Sequence, residues 1–133
     1  MNEILQPKDW SAPIGYSNGI RARGTMVFVA GQVGWDAEGN IVGDSFVEQA
    51  AQALRNVVTV LAEGGARPEH VVRMTWYVTD LDAYRQSMRE VGKAYREIMD
   101  NRYSAMTLVK VAGLVEEGAI VEIEATAVIP EEE

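Results

Sequence analysis

Residues 70–80 read HVVRMTWYVTD, and their alternation decides the fold. Val72, Met74, Trp76 and Val78 alternate with Arg73, Thr75, Tyr77 and Thr79, the period of two expected of a strand with one buried face. A helical pattern precedes it: across 46–63, Ala50, Leu54, Val57, Val58 and Leu61 recur at helical spacing. SFVE (45–48) has the form of a capping box, with Ser45 placed to accept from the amide of Glu48 and Glu48 to reach back. Gly64 and Gly65 supply the stop. After the strand, a second helix is predicted from Asp82 to Met99, with Leu81, Tyr84, Met88, Val91, Tyr95 and Ile98 as its apolar stripe.

Further out lie short apolar runs bounded by turn residues. GTMVFVAGQ (24–32) reads as a buried strand, and Gly19 and Gly24 predict a hairpin joining it to Tyr16–Arg21. DAEGNIVG (36–43) is a turn or short ribbon without the acidic ligands of a calcium loop. AMTLVKVA (105–112) and AIVEIEATAVI (119–129) are the last two strands, joined by the turn at VEEG (115–118). The order is β-β-α-β-α-β-β, an α+β class in which two helices cover one face of the sheet. The strands at 24–32 and 72–79 are apolar on both sides, so the other face is expected to meet a partner subunit.

With 133 residues, the chain is expected to form a single domain over 1–133. It has 47% apolar residues and no apolar run near the ~20 residues that span a bilayer. MNEILQPKDW (1–10) lacks the pattern of a secretory signal, and there is no cysteine, so a cytoplasmic protein is expected and no membrane partner. The net charge of −8 and the absence of a basic patch argue against nucleic acid as a partner. Residues 130–133, PEEE, read as a solvated acidic tail.

The final strand holds the most informative polar pair. Val121, Ile123 and Ala125 point one way, and Glu122, Glu124 and Thr126 the other. A carboxylate on a packed face costs several kcal/mol unless paired or protonated, so it needs a reason such as acid–base work. Taken alone, the pattern favours the plainer reading of an edge strand with its polar face in solvent. Other chemistries fare worse. Without cysteine there is no thiolate, and His70, the sole histidine, reads as a surface residue at a strand entrance. One histidine builds no His-rich zinc site, a Ser–His–Asp triad would have to recruit that same His70 without a G-x-S-x-G elbow, and GQVG (31–34) is too short for a nucleotide fingerprint. In isolation Gly31 reads as a tight turn, and Trp35 and Trp76 as packing residues. No cofactor and no metal are implied.

Four stretches nevertheless coincide in order and spacing: GYSNGIRARGTMVFVAGQVGWDAEGNIV (15–42), QAAQALRNVVTVLAEGGA (49–66), HVVRMTWYVTDLDAY (70–84) and VEIEATAV (121–128). Together they resemble the RidA family, also called YjgF/YER057c/UK114, over about residues 14–129. The resemblance implies a chorismate-mutase-like fold and a homotrimer, its sheets facing a central core, with small-molecule ligands in intersubunit clefts. It also implies a hydrolase that turns enamines or imines, such as 2-aminoacrylate, into 2-keto acids and ammonia without cofactor or metal. By position, Tyr16 matches the aromatic residue near the family's pocket and Gly31 the glycine whose backbone lines it. Glu122 matches the acidic residue that positions or activates the attacking water, and so becomes the candidate catalytic group.

The resemblance breaks at YSAMTLVKV (103–111). Where the family's deaminases carry Pro-Ala-Arg, with the arginine gripping the substrate carboxylate, this chain has Ser104, Ala105 and Met106. Methionine has neither the charge nor the paired donors of a guanidinium. Ala30 stands where a serine or threonine is common. Two consequences are open: a more apolar pocket taking a different small molecule, since methionine is polarizable and adaptable, or replacement of the lost anchor by Arg102, Arg21 or Arg23. A third reading is a non-catalytic trimer that binds a ligand or another protein.

Overall fold

A computed structural model describes residues 2–131. The helix after Ser45 forms as expected. α1 spans Phe46–Glu63, and Ser45 Oγ accepts from the Glu48 amide at 3.1 Å. The return bond is replaced, because the Glu48 carboxylate turns towards Gly43. Past Glu63 the chain reverses through Gly65 at φ +78°, a conformation costly for any residue with a Cβ. Ala50, Ala53, Leu54, Val57 and Leu61 are at most 1% exposed and form the stripe that seals α1 to the sheet.

That sheet has four strands in the order β3-β6-β4-β5: β3 (Gly24–Val33), β6 (Val121–Pro130), β4 (Val71–Val78) and β5 (Ala105–Lys110). β6 lies antiparallel to both β3 and β4, and β5 runs parallel to β4. The last two strands in sequence are therefore not neighbours. The helical segment after β4 carries the chain back to start β5 in parallel, as parallel pairing requires. The alternation read from the sequence holds from Met74 on, with Met74, Trp76 and Val78 buried together with Val121, Ile123 and Ala125 on the helix side. Before Met74, a slip in the pairing between Val71 and Arg73 buries Val71 and leaves Val72 half-buried.

Four expectations are corrected. The strand carrying Glu122 and Glu124 is not an edge strand, because β6 pairs on both sides, with β3 and with β4. The segment before Gly24 does not form a hairpin with β3. β2 (Gly19–Arg21) pairs instead with β1 (Glu3–Leu5), in a separate ribbon where Arg21 bonds Glu3. Gly24, at φ +152°, is pressed against the Ile129 carbonyl, so β3 turns directly onto β6. The second helix is broken into α2 (Leu81–Gln86) and α3 (Met88–Met99). At the break, Ser87 Oγ donates to the Ala83 carbonyl at 2.6 Å, the side-chain competition that makes serine a weak helix interior residue. The break leaves Met88 53% exposed and puts Met99 into the stripe. Finally, His70 is 3% exposed rather than on the surface. Its Nδ1 accepts from the Arg67 amide at 2.9 Å, closing the short 3-10 turn Pro68–His70. At the chain's end, Pro130 closes β6 and Glu131 lies 3.7 Å from Arg23; the last two residues of the acidic tail lie outside the described residues.

One buried side chain ties the loops at this end of the sheet together. Gln49, 1% exposed on α1, donates to the carbonyls of Gly43 and Gly118 at 2.8 and 3.0 Å and accepts from the Ile120 amide at 2.9 Å. Gly34 packs so closely on its backbone that a Cβ there would lie 2.7 Å from the Gln49 Cα. Replacing Gln49 with Leu strands an amide and two carbonyls. It should cost about 3 kcal/mol and lower Tm by roughly 10 °C, readable by thermal unfolding.

Tyr95 supplies a pH signature. It is 4% exposed and stacks on Tyr103 with ring centroids 5.3 Å apart. Burial pushes its phenol from 10.0 up to about 12, with Ser104 acting in the opposite direction. The folded chain then holds this proton where the unfolded chain has lost it, so the contribution is intact below pH 10 and is lost as pH rises through about 12. Urea unfolding should show roughly 2–3 kcal/mol lost over that window in the wild type, and correspondingly less in Tyr95→Phe.

Candidate functional site

The candidate residues fall into two groups on opposite faces of the sheet. The first is on the open face, away from the helices. The pairing of β3 with β6 slips between Val29 and Gln32, so that Ala30 and Gly31 form a bulge. Gly31 sits against Glu122, and a Cβ there would meet Glu122 Oε2 at 2.1 Å. A side chain at 31 would push the carboxylate aside, and the missing Cβ is the space the carboxylate fills. Glu122 is half-buried and pairs across the strands with Val33 and Tyr77.

Tyr77 had looked like an ordinary polar position in an alternating strand, and register makes it Glu122's neighbour. Its hydroxyl donates to Glu124 Oε1 at 2.8 Å. That bond, with some desolvation and the charges of Glu124 and Glu122, raises the phenol above its ordinary value, while Thr75 opposes the shift. Around this cluster the open face exposes Met26 (55%) and Phe28 (68%). The second apolar face expected from the sequence is thus a mixed surface, greasy on β3 and polar along β6 and β4.

The second group encloses a cavity of about 360 Å³ between the β4–β5 edge and α2–α3. Met106 pairs with the buried Met74, which fixes its side on the helix face. The chain before β2 closes the cavity. Ser17 forms a parallel bridge to Ala105, its amide donates to the Ser104 carbonyl at 2.9 Å, and its hydroxyl donates to the Tyr103 carbonyl at 2.6 Å. This clamp places Tyr16 in the lining of the same cavity as Met106. Trp76, Tyr84, Tyr95 and Tyr103 complete an aromatic wall. Trp76, 2% exposed, keeps an indole N–H with no partner among the described residues, at a desolvation cost of ~1–3 kcal/mol.

The structure thus brings Gly31 to Glu122 and Tyr16 to Met106, but not the two pairs to each other. Glu122 and Met106 lie two strands apart, about 10 Å laterally, and on opposite faces. Ala30 is exposed on β3 at the bulge. The arginines proposed as replacements are elsewhere: Arg102 bonds the Asn2 carbonyl, Arg21 pairs with Glu3 and Arg23 with Glu131. None lines the Met106 cavity. Among the described residues no three histidines or carboxylates converge with metal-ligand spacing, and no helix is long and apolar enough to cross a membrane.

Comparison with known proteins gives this geometry its kin. The endoribonuclease L-PSP family matches residues 8–129. A 2-iminobutanoate/2-iminopropanoate deaminase from Capra hircus is 34% identical over 130 residues, 96% of this chain and 90% of that one. Among solved structures, the Rid-family protein YyfB from Yersinia pestis superposes with a TM-score of 0.85 at 28% identity, covering 96% of this chain and 98% of that chain. E. coli TdcF with bound serine superposes with a TM-score of 0.70 at 30% identity, covering the same shares. The fold is the chorismate-mutase-like α+β fold, and the chain belongs to the RidA (YjgF/UK114) family, the family described as endoribonuclease L-PSP.

Proposed function

We propose that this protein is an imine deaminase-type hydrolase, acting on an enamine or imine to release a carbonyl compound and ammonia. Its substrate preference is altered by Met106 in the seat of the arginine. The observation that carries the reading is the Glu122 carboxylate lodged against Gly31. A carboxylate held there by a glycine gap is placed to order a water. As the water oxygen bonds to the C=N carbon, Glu122 accepts a proton, the π electrons move to nitrogen, and nitrogen takes up that proton. The carbinolamine then breaks: the C–N pair leaves with nitrogen, the hydroxyl proton passes through Glu122 to the departing amine, and C=O remains. An enamine enters this sequence after tautomerising to the imine. The deaminase relative supports this chemistry.

Geometry also favours an assembly. A ligand in the Met106 cavity of one copy is on the wrong side of the sheet for the same copy's Glu122, so a cleft using both draws on two copies. A homotrimer packed through the open faces would cover Met26 and Phe28, which are over half exposed in the single chain. RNA cleavage is a poorer reading. The net charge is −8, and the only histidine is buried, with one ring nitrogen already accepting from Arg67. The loss of the arginine seat favours one alternative, a trimer that binds a small molecule or another protein without turning anything over.

Imines generated by an amino-acid oxidase from small and aromatic amino acids, with semicarbazide reporting their decay, separate these readings. Wild type should accelerate loss of at least one bulky imine, and Glu122→Gln should abolish that acceleration with Tm unchanged within about 1 °C. Gly31→Ala should displace the carboxylate and lower turnover at least tenfold. Met106→Arg should move preference towards 2-aminoacrylate. A wild type silent on every imine, with Met106→Arg silent too, removes the hydrolase and leaves the binding trimer.

A further inference from the structure

We infer that Arg96 is the anion anchor of the Met106 cavity, and that the cavity takes an aromatic carboxylate: a planar apolar body in the aromatic wall with its carboxylate at the α3 rim. The substrate class, an aromatic 2-imino acid, rests on the deaminase reading. The binding claim does not.

Arg96 is the sole charged residue among those lining the cavity. It makes no ion pair or hydrogen bond among the described residues, unlike Arg21, Arg23 and Arg102. Its side chain is exposed, and its guanidinium lies over an unusual local choice. Gly92 sits one turn earlier in the middle of α3, where glycine disfavours a helix, and a Cβ there would meet Arg96 Nη1 at 3.3 Å. The glycine clears a shelf over which the guanidinium lies back along the helix, towards a cavity that Gly92 also lines. The acidic neighbours on the helix, Glu90 and Glu97, face a different groove against α1, where Lys93 lies among them.

The rest of the cavity suits the other end of such a ligand. Its volume of about 360 Å³ is at the small end of the ~300–1,000 Å³ range of ligand pockets. Trp76, Tyr84, Tyr95 and Tyr103 offer ring faces and edges, and Met88 and Met106 soft, adaptable surface. Planar guanidinium recognition of a carboxylate is bidentate and charge-assisted. The lost arginine on β5 is thus replaced from α3, a different direction, and the volume it vacated is given to the ligand's apolar group.

The test is equilibrium binding by calorimetry of two probes that differ only in charge, 3-phenylpropionate and 3-phenylpropionamide. Wild type should bind the acid at least tenfold more tightly than the amide. Arg96→Met should bring the two within twofold while leaving amide affinity unchanged, and Arg89→Met, a surface control on the same helix, should behave as wild type. Equal binding of acid and amide by wild type, failure to bind either, or a preference that survives in Arg96→Met would each overturn the anchor. Glu122→Gln separates this from the deaminase reading, because it should keep the acid preference while losing imine turnover. If no imine is turned over by any form, yet the preference is present and Arg96-dependent, the anchor stands and the hydrolase falls. Turnover of aromatic imines with unchanged KM in Arg96→Met sinks the anchor alone.

Discussion

The structure depends on β6 lying between β3 and β4. A central strand must satisfy two ladders and two faces at once, and β6 does so by strict alternation: Val121, Ile123, Ala125 and Ala127 turn inwards and Glu122, Glu124 and Thr126 outwards. A one-residue slip would drive two carboxylates into the core under α1. The register that protects the core is therefore the same register that fixes Glu122 beside Gly31 and across from Tyr77. Stability and the placement of the candidate catalytic group follow from one constraint.

The ends of that strand are held by interactions of a different kind. Gln49 reaches from α1 to the backbone leading into β6, and its amide is fully engaged. Buried polar groups satisfied in this way specify one arrangement of loops, because every alternative leaves a donor or acceptor stranded. At the opposite edge, Ser17 performs a similar task with a hydroxyl and an amide, pinning the chain before β2 to β5. Without that clamp Tyr16 has no fixed place and the Met106 cavity lacks a wall.

The two faces of the sheet carry different chemistry. One presents carboxylates and a phenol beside a glycine gap; the other presents rings, methionines and a single guanidinium. The sheet itself, two strands wide between β6 and β5, separates the Glu122 carboxylate from the Met106 cavity. Met106 belongs to the helix-side cavity and Glu122 to the open face, so a substitution at either leaves the other's surroundings in place.

Much of the fold was legible because it is local. Cap, periodicity and glycine stop of α1 lie within one segment, and the alternation of β4 and β6 follows from the pleat. Family resemblance singled out Tyr16, Ala30, Gly31, Glu122 and Met106, and the structure puts Ala30, Gly31 and Glu122 at the β3–β6 bulge and Tyr16 and Met106 around the helix-side cavity. What the residues alone left undecided is non-local. Whether β2 pairs with β1 or β3 depends on how Gly24 meets Ile129, 105 positions away. Burial of His70 depends on the 3-10 turn that its own ring closes. Arg96 and Gly92 look like ordinary helix-surface residues until α3 is laid over the β4–β5 edge. Sequence by itself determined α1, the four strands of the main sheet and the side of each that is apolar, since those follow from backbone periods of 3.6 and 2. Only the tertiary structure decided which faces meet, because strand order and register are set by long-range packing that has no period along the chain.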